Sequence, residues 1–261
     1  MSNNLSYIHP DAKIGANVEI GPFVTIYDDV EIGEGTRIYP NVTIFPGARI
    51  GRNCRIFPGA VIAAIPQDLK FHGEYTTAEI GDNTTLRECV TVNRGTAAKG
   101  KTVIGSNNLI MAYCHIAHDC ILGNNIIISN SSQLAGEVIV DDNAVIGGGT
   151  LVHQFSHLGS YIMIQGGSHV NKDVPPYVTA AKSPISYVGL NLVGLRRRGF
   201  SSEKIEELQE IYRRLFASDS NLSDALNMIE AEMPASTERN NIINFIRNSS
   251  RGVIKGIHLV E

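Results

Sequence analysis

Cysteine is scarce, charge is sparse, and no part of the chain stays apolar for long. Only 4 of the 261 residues are cysteine, and Cys54, Cys114 and Cys120 share one phase of the repeat described below. That phase is a small, inward one, so they read as buried hydrophobes rather than disulfides or metal ligands, as suits a reducing cytoplasm. Charged residues make up 18% of the chain and leave a net −4, which argues against non-specific nucleic-acid binding. No stretch is long and apolar enough to span a membrane. The N-terminus lacks a basic segment followed by an apolar run, so no secretion signal is expected and the cytoplasm is the expected location. A hydrophobic content of 43% is enough for a substantial core.

What is abundant is repetition. From Ile8 every sixth residue is an apolar anchor: Ile8, Ile14, Ile20, Ile26 and onward to Ile62, all isoleucine. The run resumes in phase at Ile80, Leu86 and Val92, then from Ile104 through Ile116, Leu134 and Val152 to Val170. Two positions before each anchor stands a mostly small residue, as at Ala12, Val18, Thr36, Ala48 and Ala60, and glycine often follows it. A helix of 3.6 residues per turn would scatter such anchors around its axis. A six-residue period belongs to a parallel β-helix, in which about eighteen residues make one triangular coil.

Asp68, Glu74 and Ala98 break the phase. A carboxylate in a dry core would cost several kcal/mol unless paired, so residues near 64–77 and 93–102 are expected to leave the coil as loops. Such loops on a rigid scaffold are either binding elements or tolerated insertions. The repeat ends near Val174-Pro175-Pro176-Tyr177. Beyond it, stripes at Ile205, Leu208, Ile211, Tyr212 and Leu215, at Leu222, Ala225, Leu226 and Ile229, and at Ile242, Ile243, Phe245 and Ile246 predict three helices. The last is expected to be capped near Ser236 or Thr237. Two domains follow: a β-helix over residues 1–186 and an α-helical C-terminal domain over 187–261. Lys172, Lys182, Arg196, Arg197, Arg198 and Lys204 outnumber Asp173 and Glu203 across 165–204, giving a local basic surface. An acidic partner or a phosphate ligand would use it; a solvated charge run is the plain alternative.

Chemistry concentrates in Met111–Cys120. With Ile116 inward, His115 and His118 can point outward. Residues one coil apart stack at about 4.8 Å, the strand spacing. That arithmetic puts His118 over Gly136 and Gly136 over Gln154, Asp119 over Glu137, His115 over Gln133, and Ala135 over His153. A histidine beside a carboxylate, one coil from a glycine N–H, has the makings of a general base next to an oxyanion donor. A solvated surface histidine is the alternative.

Six motifs together resemble one family. They are Gln67-Asp68-Leu69-Lys70, Ile116-Ala117-His118-Asp119-Cys120, Leu134-Ala135-Gly136, Val152-His153-Gln154-Phe155, Asp173-Val174-Pro175-Pro176-Tyr177 and Arg197-Arg198-Gly199-Phe200. In order and spacing they are similar to the UDP-N-acetylglucosamine O-acyltransferases that begin lipid A synthesis. The resemblance implies a left-handed coil, against the usual right-handed preference of parallel crossovers. It implies a homotrimer with active sites between subunits, acyl carrier protein and UDP-N-acetylglucosamine as partners, and neither metal nor organic cofactor. Carried over, His118 is the general base, Asp119 its orienting carboxylate and Gly136 N–H the oxyanion donor. Asp68 and Lys70 would contact the sugar nucleotide, His115, His153 and Gln154 would line the cleft, and Gly166 would set its acyl-chain depth. Asn191, Arg197 and Arg198 would meet the nucleotide or the acidic carrier. Adjacent strand residues point opposite ways, so Asp119 can serve His118 only from a turn. Glu137 departs from the family, which has a sugar-contacting histidine there; Lys70 or protonated His118 is expected to separate its charge from that of Asp119. Rival readings are a hexapeptide acyltransferase using coenzyme A or another sugar, a solenoid carbonic anhydrase binding zinc through His115, His118 and His153, and a non-catalytic scaffold.

Overall fold

Most hexads fold as a strand of only a few residues that ends on its anchor. In the computed structural model, which describes residues 5–216 and 221–256, these run from Tyr7–Ile8, Lys13–Ile14 and Glu19–Ile20 to His169–Val170. Strands 18 residues apart pair in parallel, Lys13 with Glu31 and Ile14 with Ile32. Three sheets of 9, 8 and 10 strands result, here called A, B and C, and successive strands go to A, B and C in turn. They form the sides of a triangular prism.

The anchors fill its interior. Ile26, Ile44, Ile62, Ile116, Leu134 and Ile164 are wholly buried, and Val24, Val42, Ala60 and Cys120 fill the space between them. Each fully buried isoleucine contributes about 1.5–3 kcal/mol relative to exposure. The cysteines at the inward phase behave as expected: Cys54, Cys114 and Cys120 are free and buried, while Cys89 is free and exposed. Burial pushes the Cys120 thiol up to about 12.

The corners need a left-handed residue three positions before the anchor. Between sheets B and C that residue is mostly asparagine, namely Asn17, Asn53, Asn83, Asn107, Asn125 and Asn143 with φ from 53° to 66°, with Gly35 and Tyr161 in the other coils. Asparagine enters this region more readily than most residues, so the sequence matches the backbone there.

Two loops leave the prism, over 65–76 and 94–100, each between a strand of sheet A and the next strand of sheet B. At the C-terminal end Val178–Ala181 pairs in parallel with Met163–Ile164, and Ser186–Leu190 then pairs back antiparallel on it. The helices therefore begin at Leu192 rather than 187. Four follow: α1 (Leu192–Arg197), α2 (Ser202–Phe216), α3 (Leu222–Glu232) and α4 (Thr237–Asn248). The sequence shows no sign of α1, which is too short to carry a stripe. The three predicted stripes are the buried faces of α2, α3 and α4, and Ser236 caps α4 by accepting from Arg239 N–H at 3.0 Å. The helices pack on the last coils of their own chain. Tyr212 Oη donates to the Pro176 carbonyl at 2.6 Å, and the Phe245 ring lies 4.5 Å from that of His157. No described helix is long and apolar enough to cross a membrane.

Candidate active site

One corner of the prism, between sheets A and B, gathers the predicted residues. His118 and Asp119 turn it in one coil, Gly136 and Glu137 in the next, Gln154 and Phe155 in the one after, and both loops emerge from the same edge. Asp119, Glu137 and Phe155 all have φ between 60° and 65°. This is the turn that Asp119 required, and it brings a residue adjacent to His118 alongside it instead of opposite.

His118 Nδ1 is 2.8 Å from Asp119 Oδ2, and its Nε2 is 3.9 Å from Asp68 Oδ2 on the first loop. The ring lies on Gly136: a Cβ there would meet His118 Cε1 and Nε2 at 2.6 Å. Only glycine lets the ring approach so closely. Gly136 N–H donates to nothing among the described residues, whereas the Ala135 and Glu137 N–H groups bind Val152 and His118 carbonyls.

Asp119 is completely buried, which a carboxylate tolerates only when saturated with donors. The second loop supplies them. Oδ1 accepts the N–H groups of Thr96 and Lys99 at 3.0 and 3.2 Å, and Oδ2 accepts the Thr96 hydroxyl at 2.7 Å. Asp119 N–H donates to Thr102 Oγ1 at 2.8 Å, and Lys99 Nζ reaches the Asp119 carbonyl at 3.3 Å. Of the two expected separators between Asp119 and Glu137, His118 meets Asp119 Oδ2 directly, whereas Lys70 does not reach it. The Asp119 charge is compensated from loop 94–100 above. Lys70 is exposed, tied only through its N–H to Asp68 Oδ1 at 3.0 Å, and among the described residues neither its ammonium nor Glu137 forms an ion pair.

Glu74 joins the two loops, accepting from His72 N–H and Ala97 N–H, each at 2.9 Å. Backbone donors, its own N–H first and then that of His72, hold its carboxyl below the usual range. His115 pairs in register with Gln133 and Thr91, and its Nδ1 is 2.7 Å from Thr91 Oγ1. Burial pushes its imidazole down, and His118 adds to the effect. His153 and Gln154 are exposed, and His153 Nδ1 meets only the Gln154 carbonyl, at 3.0 Å.

The remaining predicted residues are on other corners. Arg198 spans Asn143 Oδ1 and the Asn125 carbonyl between sheets B and C, with its guanidinium 5.9 Å from the Tyr161 ring centroid. Arg197 is exposed in the last turn of α1. Asn191 caps α1: Oδ1 accepts from Gly194 N–H at 3.1 Å and Nδ2 donates to the Tyr161 carbonyl at 2.9 Å, so the fold engages both polar atoms. Gly166 is at the corner between sheets C and A, where an added Cβ would lie 3.0 Å from the Gly148 carbonyl oxygen. Within one chain His118, Arg198 and Gly166 thus occupy three different edges. A cavity of about 560 Å³ under α4, lined by Ile121, Ile139, His157 and Phe245, includes none of His118, Asp119 or Gly136. Among the described residues no three His, Cys, Asp or Glu side chains are grouped to hold a metal ion.

Residues 173–254 match the family described as UDP N-acetylglucosamine O-acyltransferase, domain 2, and residues 11–46, 29–64 and 101–136 match the bacterial transferase hexapeptide repeat. The acyl-[acyl-carrier-protein]--UDP-N-acetylglucosamine O-acyltransferase of Halorhodospira halophila is 45% identical over 95% of this chain and 96% of its own. The chain belongs to the UDP-N-acetylglucosamine O-acyltransferase family. The structure of LpxA, a UDP-N-acetylglucosamine acyltransferase from Bacteroides fragilis, superposes with a TM-score of 0.96 at 57% identity, covering 98% of this chain and all of that one. LpxA from Acinetobacter baumannii gives 0.94 at 39%, covering 97% and 99%. The prism is accordingly a left-handed parallel β-helix, and the C-terminal helices are the second domain of this acyltransferase family.

Thr96 and Lys99 had no signal in the repeat, and Glu74 showed only as a break in its phase. Thr96 meets Asp119 across 23 residues, not a multiple of the coil, because the loop itself shifts the count.

Proposed function

We propose that this chain transfers a 3-hydroxyacyl group from acyl carrier protein to the 3-hydroxyl of UDP-N-acetylglucosamine, the first step of lipid A biosynthesis. We place it in the cytoplasm as a homotrimer that needs neither metal nor organic cofactor, with residues 1–186 as the catalytic solenoid and 187–261 as its cap. The observation that carries the reading is the His118 ring held between the buried Asp119 carboxylate and the open Gly136 backbone.

With Nδ1–H donated to Asp119, His118 Nε2 presents its lone pair outward and takes the proton of the sugar 3-hydroxyl as that oxygen attacks the thioester carbonyl. Asp119 stabilises the resulting imidazolium. Gly136 N–H donates to the oxyanion of the tetrahedral intermediate. Collapse breaks the C–S bond, and the imidazolium proton goes to the departing carrier thiolate, restoring the base. Asp68 and Lys70 contact the sugar nucleotide from the first loop, and His115, His153 and Gln154 line its approach. Glu137 replaces the family histidine at the sugar.

Arg197 and Arg198 suit the diphosphate or the acidic carrier, and Gly166 suits the end of the hydrocarbon. Being on other edges of the prism, they can serve this site only when a neighbouring copy brings its edge alongside, which favours the trimer. Asn191 acts by fixing α1, the helix that carries the arginines. Mass spectrometry of products from a panel of acyl-carrier thioesters, with the 3-hydroxy and 3-amino sugar nucleotides, tests the proposal. A 3-O-acylated sugar nucleotide is expected. Turnover with coenzyme A thioesters but not with carrier thioesters would overturn it.

A further inference from the structure

Loop 94–100 does more than shield the base. Four of the hydrogen bonds on or around the Asp119 carboxylate and carbonyl come from Thr96 and Lys99. Thr96 is itself buried, and its Oγ1 has a fixed polarity: it accepts from Ala98 N–H at 3.2 Å, so its own proton is directed at Asp119 Oδ2. That oxygen is the one facing His118 Nδ1 at 2.8 Å. Thr96 and His118 therefore donate to the same carboxylate oxygen. Through Glu74, which accepts from Ala97 N–H, this loop is also joined to the loop bearing Asp68 and Lys70.

We infer that Thr96 is a positioning residue for the acyl transfer, aiming and restraining the Asp119 carboxylate that orients the base, and that Glu74 couples this restraint to the sugar-binding loop. The inference rests on His118 being the base. A donor on Oδ2 fixes the oxygen in the imidazole plane and draws off part of its negative charge. The carboxylate then holds the His118 N–H without over-stabilising the imidazolium formed during the reaction. Other charged groups face the same ring: Asp68 at 3.9 Å from Nε2, His115 on the preceding strand, Lys99 on the Asp119 carbonyl, and Glu137 one coil away. None of them donates to Oδ2 among the described residues, so Thr96 is the group whose removal acts on that oxygen.

The test compares Thr96→Val, Thr96→Ser and Glu74→Gln with wild type and His118→Ala in the intact enzyme. Steady-state rates are measured across pH with 3-hydroxyacyl carrier protein and UDP-N-acetylglucosamine. Thr96→Val should lower kcat/KM roughly tenfold, the worth of one hydrogen bond to a charged group. It should also move the acid limb of the kcat/KM profile to higher pH, since the unrestrained carboxylate favours imidazolium. Thr96→Ser should restore both. Glu74→Gln, which keeps one acceptor oxygen of two, should raise KM for the sugar nucleotide severalfold more than KM for the acyl carrier. A Thr96→Val enzyme with lowered Tm but an unmoved acid limb, or a limb moved to lower pH, overturns the positioning role. Equal changes in both KM values overturn the coupling through Glu74. Full activity in His118→Ala would instead remove the base assignment beneath both.

Discussion

Two corners of the same prism use the same backbone for opposite ends. Between sheets B and C the left-handed position is filled almost throughout by asparagine, from Asn17 to Asn143, a residue chosen for the turn. Between sheets A and B the same position holds Asp119, Glu137 and Phe155, at φ values of 60° to 65°. A non-glycine residue in that region costs on the order of 1–2 kcal/mol, and asparagine pays least because its short amide bonds locally. At one corner side chain follows conformation. At the other, the same conformation puts a carboxylate beside His118.

The sharpest break of this comparison is His118→Ala. Its side chain lies outside the core, so turnover should fall about 10²–10⁴-fold, the usual contribution of a general base, with Tm unchanged. Asn107→Gly at the B–C corner should leave turnover intact, because Asn107 serves only the turn. Wild-type rates in a folded His118→Ala protein would return the corner to mere scaffold.

Gly136→Ala comes next. Its Cβ would stand 2.6 Å from the His118 ring, which must shift because it is a side-chain end outside the core, so the coil survives while the base is displaced. A misplacement of this size costs roughly 10²-fold in rate. Undiminished turnover would show that ring placement over Gly136 is incidental.

At the third corner, Gly166→Met should shift donor preference toward shorter acyl chains by roughly 10²-fold in kcat/KM ratio, from about 0.8 kcal/mol per methylene excluded. The added Cβ lies 3.0 Å from the Gly148 oxygen, so the coil must give slightly. A shortened berth for the hydrocarbon would move the ratio; slight strain alone would lower the rates with all donors together.

Reversing Arg197 and Arg198 to glutamate should raise KM about tenfold, with a defect that changes with salt. In assemblies mixing this variant with His118→Ala, some sites should regain wild-type KM, because one copy supplies an intact A–B corner and another an intact B–C corner. Failure of the mixture would confine the site to one chain.

The smallest effect concerns stability. Glu137→Asn eases the left-handed turn and should stabilise the fold by about 0.5 kcal/mol, raising Tm by about 1–2 °C for a chain of this size. A lowered Tm would mean that the Glu137 side chain supports the coil.

Nearly all of the solenoid could be read from the chain because its contacts recur at a fixed interval, so one anchor such as Ile116 predicts the surroundings of the next. The stacking of His118 on Gly136 came from the same arithmetic. Asp119 could be named but not understood, since its partners Thr96 and Lys99 are on a loop with no period. Glu137 was correctly placed one coil from Asp119, yet the compensating groups came from above, not from Lys70. Asn191 was named from its family position alone, and its cap on α1 left no sign in the repeat. Handedness and α1 were invisible for a simpler reason: neither alters which residues repeat.

A stack of parallel rungs has no natural last member. Each coil presents the same unpaired edge as the one before, and a second molecule placed end to end could continue it indefinitely, as fibrils do. Here the strand Ser186–Leu190 runs backwards across sheet C, and α2, hydrogen-bonded through Tyr212 to Pro176, lies over that end. The reversal makes this end a poor template for another rung. The chain that builds a fibre-like core thus carries its own terminator of growth.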